Sequence, residues 1–100
     1  MADRLIWSPR ALAELEDIAD YIAKDSPLYA RMVVRRIIER TGVLPDMPGQ
    51  GRRVPDYQGP LELREVFAYD WRMIYAVKDG GVEIVTVFHG ARSMENLPPL

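Results

Sequence analysis

The spacing of apolar positions changes along this chain, and the changes mark out its elements. Leu5-Ile6-Trp7 is a short apolar run that stops at Ser8-Pro9, which predicts a first strand. Ser8 suits a helix cap, and Pro9 suits a first helical position, where its missing N–H would be unpaired anyway. Leu12, Leu15, Ile18, Ala19 and Ile22 then recur at helical spacing, with acidic residues on the remaining face. This predicts a helix over 9–24. Ser26-Pro27 repeats the start signal. Ala30, Val33, Val34, Ile37 and Ile38 form a second stripe, which predicts a helix over 27–41 that stops near Gly42. So short a link folds two helices back as an antiparallel hairpin.

Residues 45–60 hold Pro45, Pro48, Gly49, Gly51, Pro55, Gly59 and Pro60 and read as one long loop, a candidate for function or mobility. Three strand-like runs come after it: Leu63 to Ala68, Trp71 to Val77 after a Tyr69-Asp70 turn, and Val82 to Phe88 after Asp79-Gly80-Gly81. The expected fold class is α+β, in the order β-α-α-β-β-β: an antiparallel sheet meander covered by an N-terminal helical hairpin. The whole of 1–100 is expected to form a single domain.

Composition adds limits. A chain of 100 residues, 48% hydrophobic, supports a thin core and little room for a deep pocket. It has no cysteine, which excludes disulfide scaffolds, thiolate metal sites and cysteine nucleophiles. No run approaches the ~20 apolar residues of a membrane span, and Met1-Ala2-Asp3-Arg4 carries no targeting pattern, so the expected compartment is the cytoplasm. The net charge of −2 argues against nonspecific nucleic-acid binding. That total hides a dipolar layout. Glu14, Glu16, Asp17, Asp20 and Asp25 face only Lys24 over 14–25, whereas Arg31, Arg35, Arg36, Arg40, Arg52 and Arg53 outweigh Glu39 and Asp46 over 31–53. Of thirteen basic residues eleven are Arg, whose planar fork suits phosphates, carboxylates and interfaces.

Candidate chemistry is sparse. The one histidine, His89, lacks the partners of a metal motif, and no phosphate-binding glycine loop or serine-triad motif is present. Neither a metal nor a cofactor is expected. The remaining cluster lies at strand ends: Arg72, His89 and Arg92. A two-residue turn at Asp79-Gly80 or at Gly80-Gly81 places Arg72 and His89 on one face, because side chains alternate with period two. Two guanidiniums and an imidazole there suit holding a phosphodiester and moving a proton. The plainer alternative is a polar strand end with Arg72 paired to Glu65 or Asp70. The basic stripe on the second helix likewise reads either as a solvated face or as a docking surface for an acidic partner. Trp7 and Trp71 read as packing residues or as stacking platforms.

Several of these segments resemble one family. Ser8-Pro9 with Ala11, Leu15 and Ile18, through Tyr21-Ile22-Ala23, resembles the opening helix of the RelE/ParE superfamily of bacterial toxins. Leu44-Pro45, Pro48-Gly49 and Gly51-Arg52 resemble its loop, and Leu63-Arg64-Glu65-Val66 and Trp71-Arg72-Met73-Ile74-Tyr75 its next two strands. Val87-Phe88-His89-Gly90-Ala91-Arg92 resembles its closing strand, and His-Gly-x-Arg is especially like the ParE branch. The resemblance covers about residues 4–93.

The resemblance implies a toxin of a type II toxin–antitoxin pair, neutralised by a cognate antitoxin in a hetero-oligomer, with no membrane role. RelE-like members cleave mRNA on the ribosome with basic residues; ParE-like members are described as poisoning DNA gyrase and lack that catalytic set. Arg72 and Arg92 resemble functional arginines of the RelE-like enzymes, with His89 a candidate general acid or base and Arg64 and Glu65 candidate support. The lysines expected before Glu65 are absent, as is a tyrosine after Arg92, which favours the ParE branch and gyrase inhibition. A ribosome-dependent endoribonuclease is the alternative, and a non-toxic protein-binding module the second. Antitoxins of such families are often acidic where they dock, which makes Arg31, Arg35, Arg36, Arg40, Arg52 and Arg53 the antitoxin-binding candidates.

Overall fold

Both serine–proline pairs start helices. In the computed structural model, which describes residues 4–55 and 57–90, helix α1 spans Pro9–Ala23 and helix α2 spans Pro27–Gly42. The Ser8 hydroxyl accepts from Ala11 N at 3.0 Å and the Ser26 hydroxyl from Tyr29 N at 3.1 Å, so each satisfies a first-turn N–H that has no helical partner. Each helix boundary lies within one residue of its expectation.

Five strands make one sheet: β1 (Arg4–Trp7), β2 (Arg52–Arg53), β3 (Glu62–Ala68), β4 (Trp71–Lys78) and β5 (Gly81–His89), in the order β1-β5-β4-β3-β2. Strands β3, β4 and β5 form the expected antiparallel meander. Two features extend that expectation. Strand β1 lies parallel to β5 at one edge, so the sheet is mixed. A two-residue strand, β2, arises inside the long loop and pairs Arg52 with Glu65 and Arg53 with Arg64.

The hairpin covers one face of the sheet. Ala11, Leu15 and Ile18 of α1 and Val33 and Ile37 of α2 pack on Val66, Ala68, Met73, Tyr75, Val82, Ile84 and Val87. The other face carries a smaller core, where Val54, Tyr57 and Leu61 from the loop pack on Leu63, Ile74, Ala76, Val85 and Phe88. Both faces of β4 and β5 are therefore covered, which is why their apolar residues run almost without alternation.

The loop is held rather than loose. The Tyr75 hydroxyl, on fully buried Tyr75, donates to Pro48 O at 2.7 Å and accepts from Gly51 N at 2.9 Å. The Arg64 guanidinium donates to Gly51 O at 2.8 Å. A Cβ at Gly51 would sit 2.5 Å from Glu65 O and 2.6 Å from the Tyr75 hydroxyl, so only glycine fits this close approach.

The pairing of β4 with β5 breaks step at one point. The Asp79-Gly80 turn pairs Lys78 with Gly81, and that register holds as far as Tyr75 opposite Ile84. The next pair is Ile74 with Thr86, so Val85 is the extra residue of a β-bulge. Helix α1 meets this point, where β1 has ended. Ser8 N donates to Ile84 O at 3.0 Å and Ser8 Oγ to Val85 O at 2.9 Å. The Glu14 carboxylate then accepts from Thr86 Oγ1 at 2.7 Å and Val87 N at 2.9 Å. The start of α1 thus replaces the missing strand partner of β5.

Candidate functional site

The bulge separates the two residues that the strand pattern had placed together. An unbroken register from the Asp79-Gly80 turn would set Arg72 opposite Val87 and on the face of His89. With Val85 inserted, Arg72 lies opposite Phe88 and His89 lies opposite Trp71. A one-residue slip reverses every later side chain of a strand. Arg72 therefore lies on the sheet face away from the helices, and His89 on the face toward α1. The expected shared face of Arg72 and His89 is thus corrected. The same slip puts Phe88 on the face opposite Val82 and Ile84.

Arg72 is engaged where it lies. Its side chain is 9% exposed, and its Nη2 and Nε reach Glu65 Oε1 at 2.5 and 2.6 Å. Its guanidinium also lies 5.5 Å from the ring centre of Phe88, close enough for a cation–π contact. Glu65, with no side-chain exposure, uses its other oxygen to accept from Arg52 Nε at 2.5 Å. One buried carboxylate therefore holds two arginines, one from each neighbouring strand. This matches the plainer sequence alternative, in which Arg72 pairs with Glu65. Arg64, the other support candidate, pairs with Glu62 Oε2 at 2.8 Å and helps hold the loop.

His89 stands at the exposed end of β5, with its ring edge-on to Trp71 at 5.3 Å between centres. It borders a cleft of about 410 Å³ whose other walls include Glu14, Asp17, Ile18 and Tyr21 of α1. Arg92 lies outside the described residues. Among the described residues, no three of His, Asp and Glu gather as metal ligands, and no helix is long and apolar enough to cross a membrane.

The arginines of α2 do not form one face. Arg31 and Arg35 line a groove between α1 and α2. Arg36 pairs with Glu39 at 3.7 Å, and Arg40 turns toward the sheet, where its Nε donates to Phe67 O at 3.0 Å. Arg52 and Arg53 are exposed on β2. Sequence reasoning missed two residues that organise the site. Tyr75 enters the sequence reading only as the last residue of the Trp71-Arg72-Met73-Ile74-Tyr75 motif, with no role for its hydroxyl. Glu14 reads as one acid among several, and nothing local to it signals that its carboxylate accepts from Thr86 Oγ1 and Val87 N on a distant strand. Burial also raises the Tyr75 hydroxyl above its ordinary pKa of 10.0, partly offset by the Gly51 hydrogen bond and by the Arg64 charge.

With this geometry in hand, known proteins give a consistent comparison. The family model described as "ParE toxin of type II toxin-antitoxin system, parDE" matches residues 5–94. The protein named Toxin RelE2 from Caulobacter vibrioides is 37% identical over 90 residues, which cover 89% of this chain and 97% of that protein. Among solved structures, the chromosomal ParDE toxin–antitoxin system from P. aeruginosa superposes with a TM-score of 0.70 at 25% identity, over 89% of this chain and 95% of the other. The RelE–RelB complex from Pyrococcus horikoshii OT3 shares the fold, with a TM-score of 0.64 at 19% identity over 93% of this chain and all of that one. The family match spans nearly the whole described fold, and the chain accordingly belongs to the ParE toxin family of type II toxin–antitoxin systems.

Proposed function

We propose that this toxin acts by docking on DNA gyrase, without turnover chemistry of its own. One observation carries the reading: Arg72 is buried in an ion pair with Glu65, on the opposite sheet face from His89. A ribonuclease of this size needs cations open to a phosphodiester and a proton-transfer group within hydrogen-bond reach of the same phosphate. Here the central guanidinium is neutralised and covered. What remains exposed, the cationic α2 surface and the β2 arginines, suits contact with another macromolecule.

Purified toxin is expected to block gyrase supercoiling or to trap cleaved DNA, and to leave ribosome-bound mRNA intact. Normal supercoiling at toxin excess, together with cut mRNA, would overturn the reading. A second reading follows from the resemblance to RelE-like members: an endoribonuclease acting through His89 and Arg92. His89→Ala separates the two, because His89 is exposed and its loss leaves both cores intact. The docking reading expects toxicity to persist in that variant.

We further propose that a cognate antitoxin neutralises the toxin with an acidic segment laid across Arg36, Arg40, Arg52 and Arg53. Charge reversal at Arg36 and Arg53 is expected to weaken the complex at least tenfold, more at low salt than at high. Unchanged affinity would remove these arginines from the interface.

A further inference from the structure

We infer that the outer face of the helical hairpin is a self-association surface, and that two copies of this chain pair through it as a four-helix bundle. The link of residues 24–26 lays α2 back along α1 and leaves a groove of about 630 Å³ between them. Its floor is apolar: Ala19 and Ala23 from α1, Ala30, Val34 and Ile38 from α2. Ile38 is 54% exposed, and Leu12 on the same side of α1 is 48% exposed. An apolar stripe of this kind on a small chain marks an interface.

The charges beside the stripe say what fits it. Glu16 and Asp20 stand along α1, and Arg31 and Arg35 along α2. Because both helices rise ~1.5 Å per residue from their common link, Asp20 is level with Arg31 and Glu16 with Arg35. A uniformly acidic partner would match only the α2 side. A second copy matches both sides at once, provided the two-fold axis runs parallel to the helices. That axis sets α1 of each copy over α2 of the other, acid on base at each level. The other two-fold in the plane of the face would stack α1 on α1 and α2 on α2, so like charges would oppose. The charge pattern thus selects both the partner and the orientation.

The test is the mass of the full chain, free of antitoxin, by sedimentation equilibrium. Wild type is expected at twice 11.4 kDa, with the dimer weakened by high salt. Glu16→Arg/Asp20→Arg and Arg31→Glu/Arg35→Glu change only residues outside both cores, and each is expected to stay folded by circular dichroism. Each alone places like charges at both levels of the pair and is expected at single-chain mass. Mixed together, they restore opposite charges at every level and are expected to form a one-to-one dimer. A wild-type chain that stays at 11.4 kDa, or variants that self-associate as wild type does, would overturn the proposal. Failure of the mixed pair to assemble would overturn the orientation.

Discussion

Replacing Glu65 with Ala is expected to cost the fold about 3–5 kcal/mol, the usual consequence of stranding one member of a buried ion pair. Arg72 would keep its place beside Phe88 with no carboxylate near it, because its side chain is only 9% exposed and cannot swing into water without opening the sheet face. A domain of this size has a total stability of ~5–15 kcal/mol, so about a fifth or more of it would be lost. Thermal unfolding followed by circular dichroism is expected to show a midpoint lower by at least ~12 °C. Glu65→Gln, which keeps the shape and one acceptor, is expected to lose less. Glu65→Leu with Arg72→Met removes the charges together and is expected to recover most of the loss. A Glu65→Ala midpoint within a few degrees of wild type would show that the pair does not hold this face.

The same double variant bears on function. With Arg72 placed as a structural residue, a folded Glu65→Leu/Arg72→Met chain is expected to keep its toxicity. By contrast, Arg72→Ala alone confounds the question, since lost activity and lost folding would arrive together. His89, exposed and outside both cores, is the cleaner probe of proton-transfer chemistry.

Gly51→Ala is expected to have the next largest effect, about 3 kcal/mol. The new Cβ would meet a backbone oxygen, Glu65 O, at 2.5 Å and the Tyr75 hydroxyl at 2.6 Å. Neither can yield cheaply: the first belongs to β3 beside the Glu65 ion pair, and the second is pinned by Pro48 and Gly51. Overpacking of this kind usually costs about 1–3 kcal/mol, and displacing the hydroxyl adds the loss of a buried hydrogen bond. Denaturant midpoints would measure it. Tyr75→Phe is the companion: it removes the hydroxyl without adding bulk and leaves Gly51 N unpaired, so a smaller loss of ~1–2 kcal/mol is expected. The pH dependence has a definite sign. Folding raises the Tyr75 pKa, so its contribution is whole below pH 10.0 and falls as pH climbs through the raised folded value. The Phe variant is expected to lack that alkaline component.

Much of the fold is legible before any coordinate. Ser8-Pro9 and Ser26-Pro27 announce helix starts because a side-chain oxygen must satisfy the first-turn N–H groups and proline has no N–H to lose. The apolar stripes of α1 and α2, and the Asp79-Gly80 turn, where Gly80 takes a φ of +83°, are local requirements. Local chemistry is less informative about edges. Strand β1 reads as a strand, yet nothing in Leu5-Ile6-Trp7 says that its partner is β5, far along the chain and parallel to it. Strand β2 hides among prolines and glycines because it exists only where β3 offers it an edge.

By itself the sequence determines the α+β order, the helix limits, the meander and the toxin family, since all of these rest on residues near one another in the chain or on a pattern spread along it. Only the tertiary structure decides whether Arg72 and His89 form one site. That question turns on parity, and a single extra residue at Val85 reverses it. The bulge is held by Ser8 and Glu14, which reach β5 from the far end of the chain. The burial of Glu65 between Arg52 and Arg72 depends equally on three strands meeting. Periodicity records which way a side chain points relative to its neighbours in sequence; a register shift imposed by a distant segment leaves no mark on it.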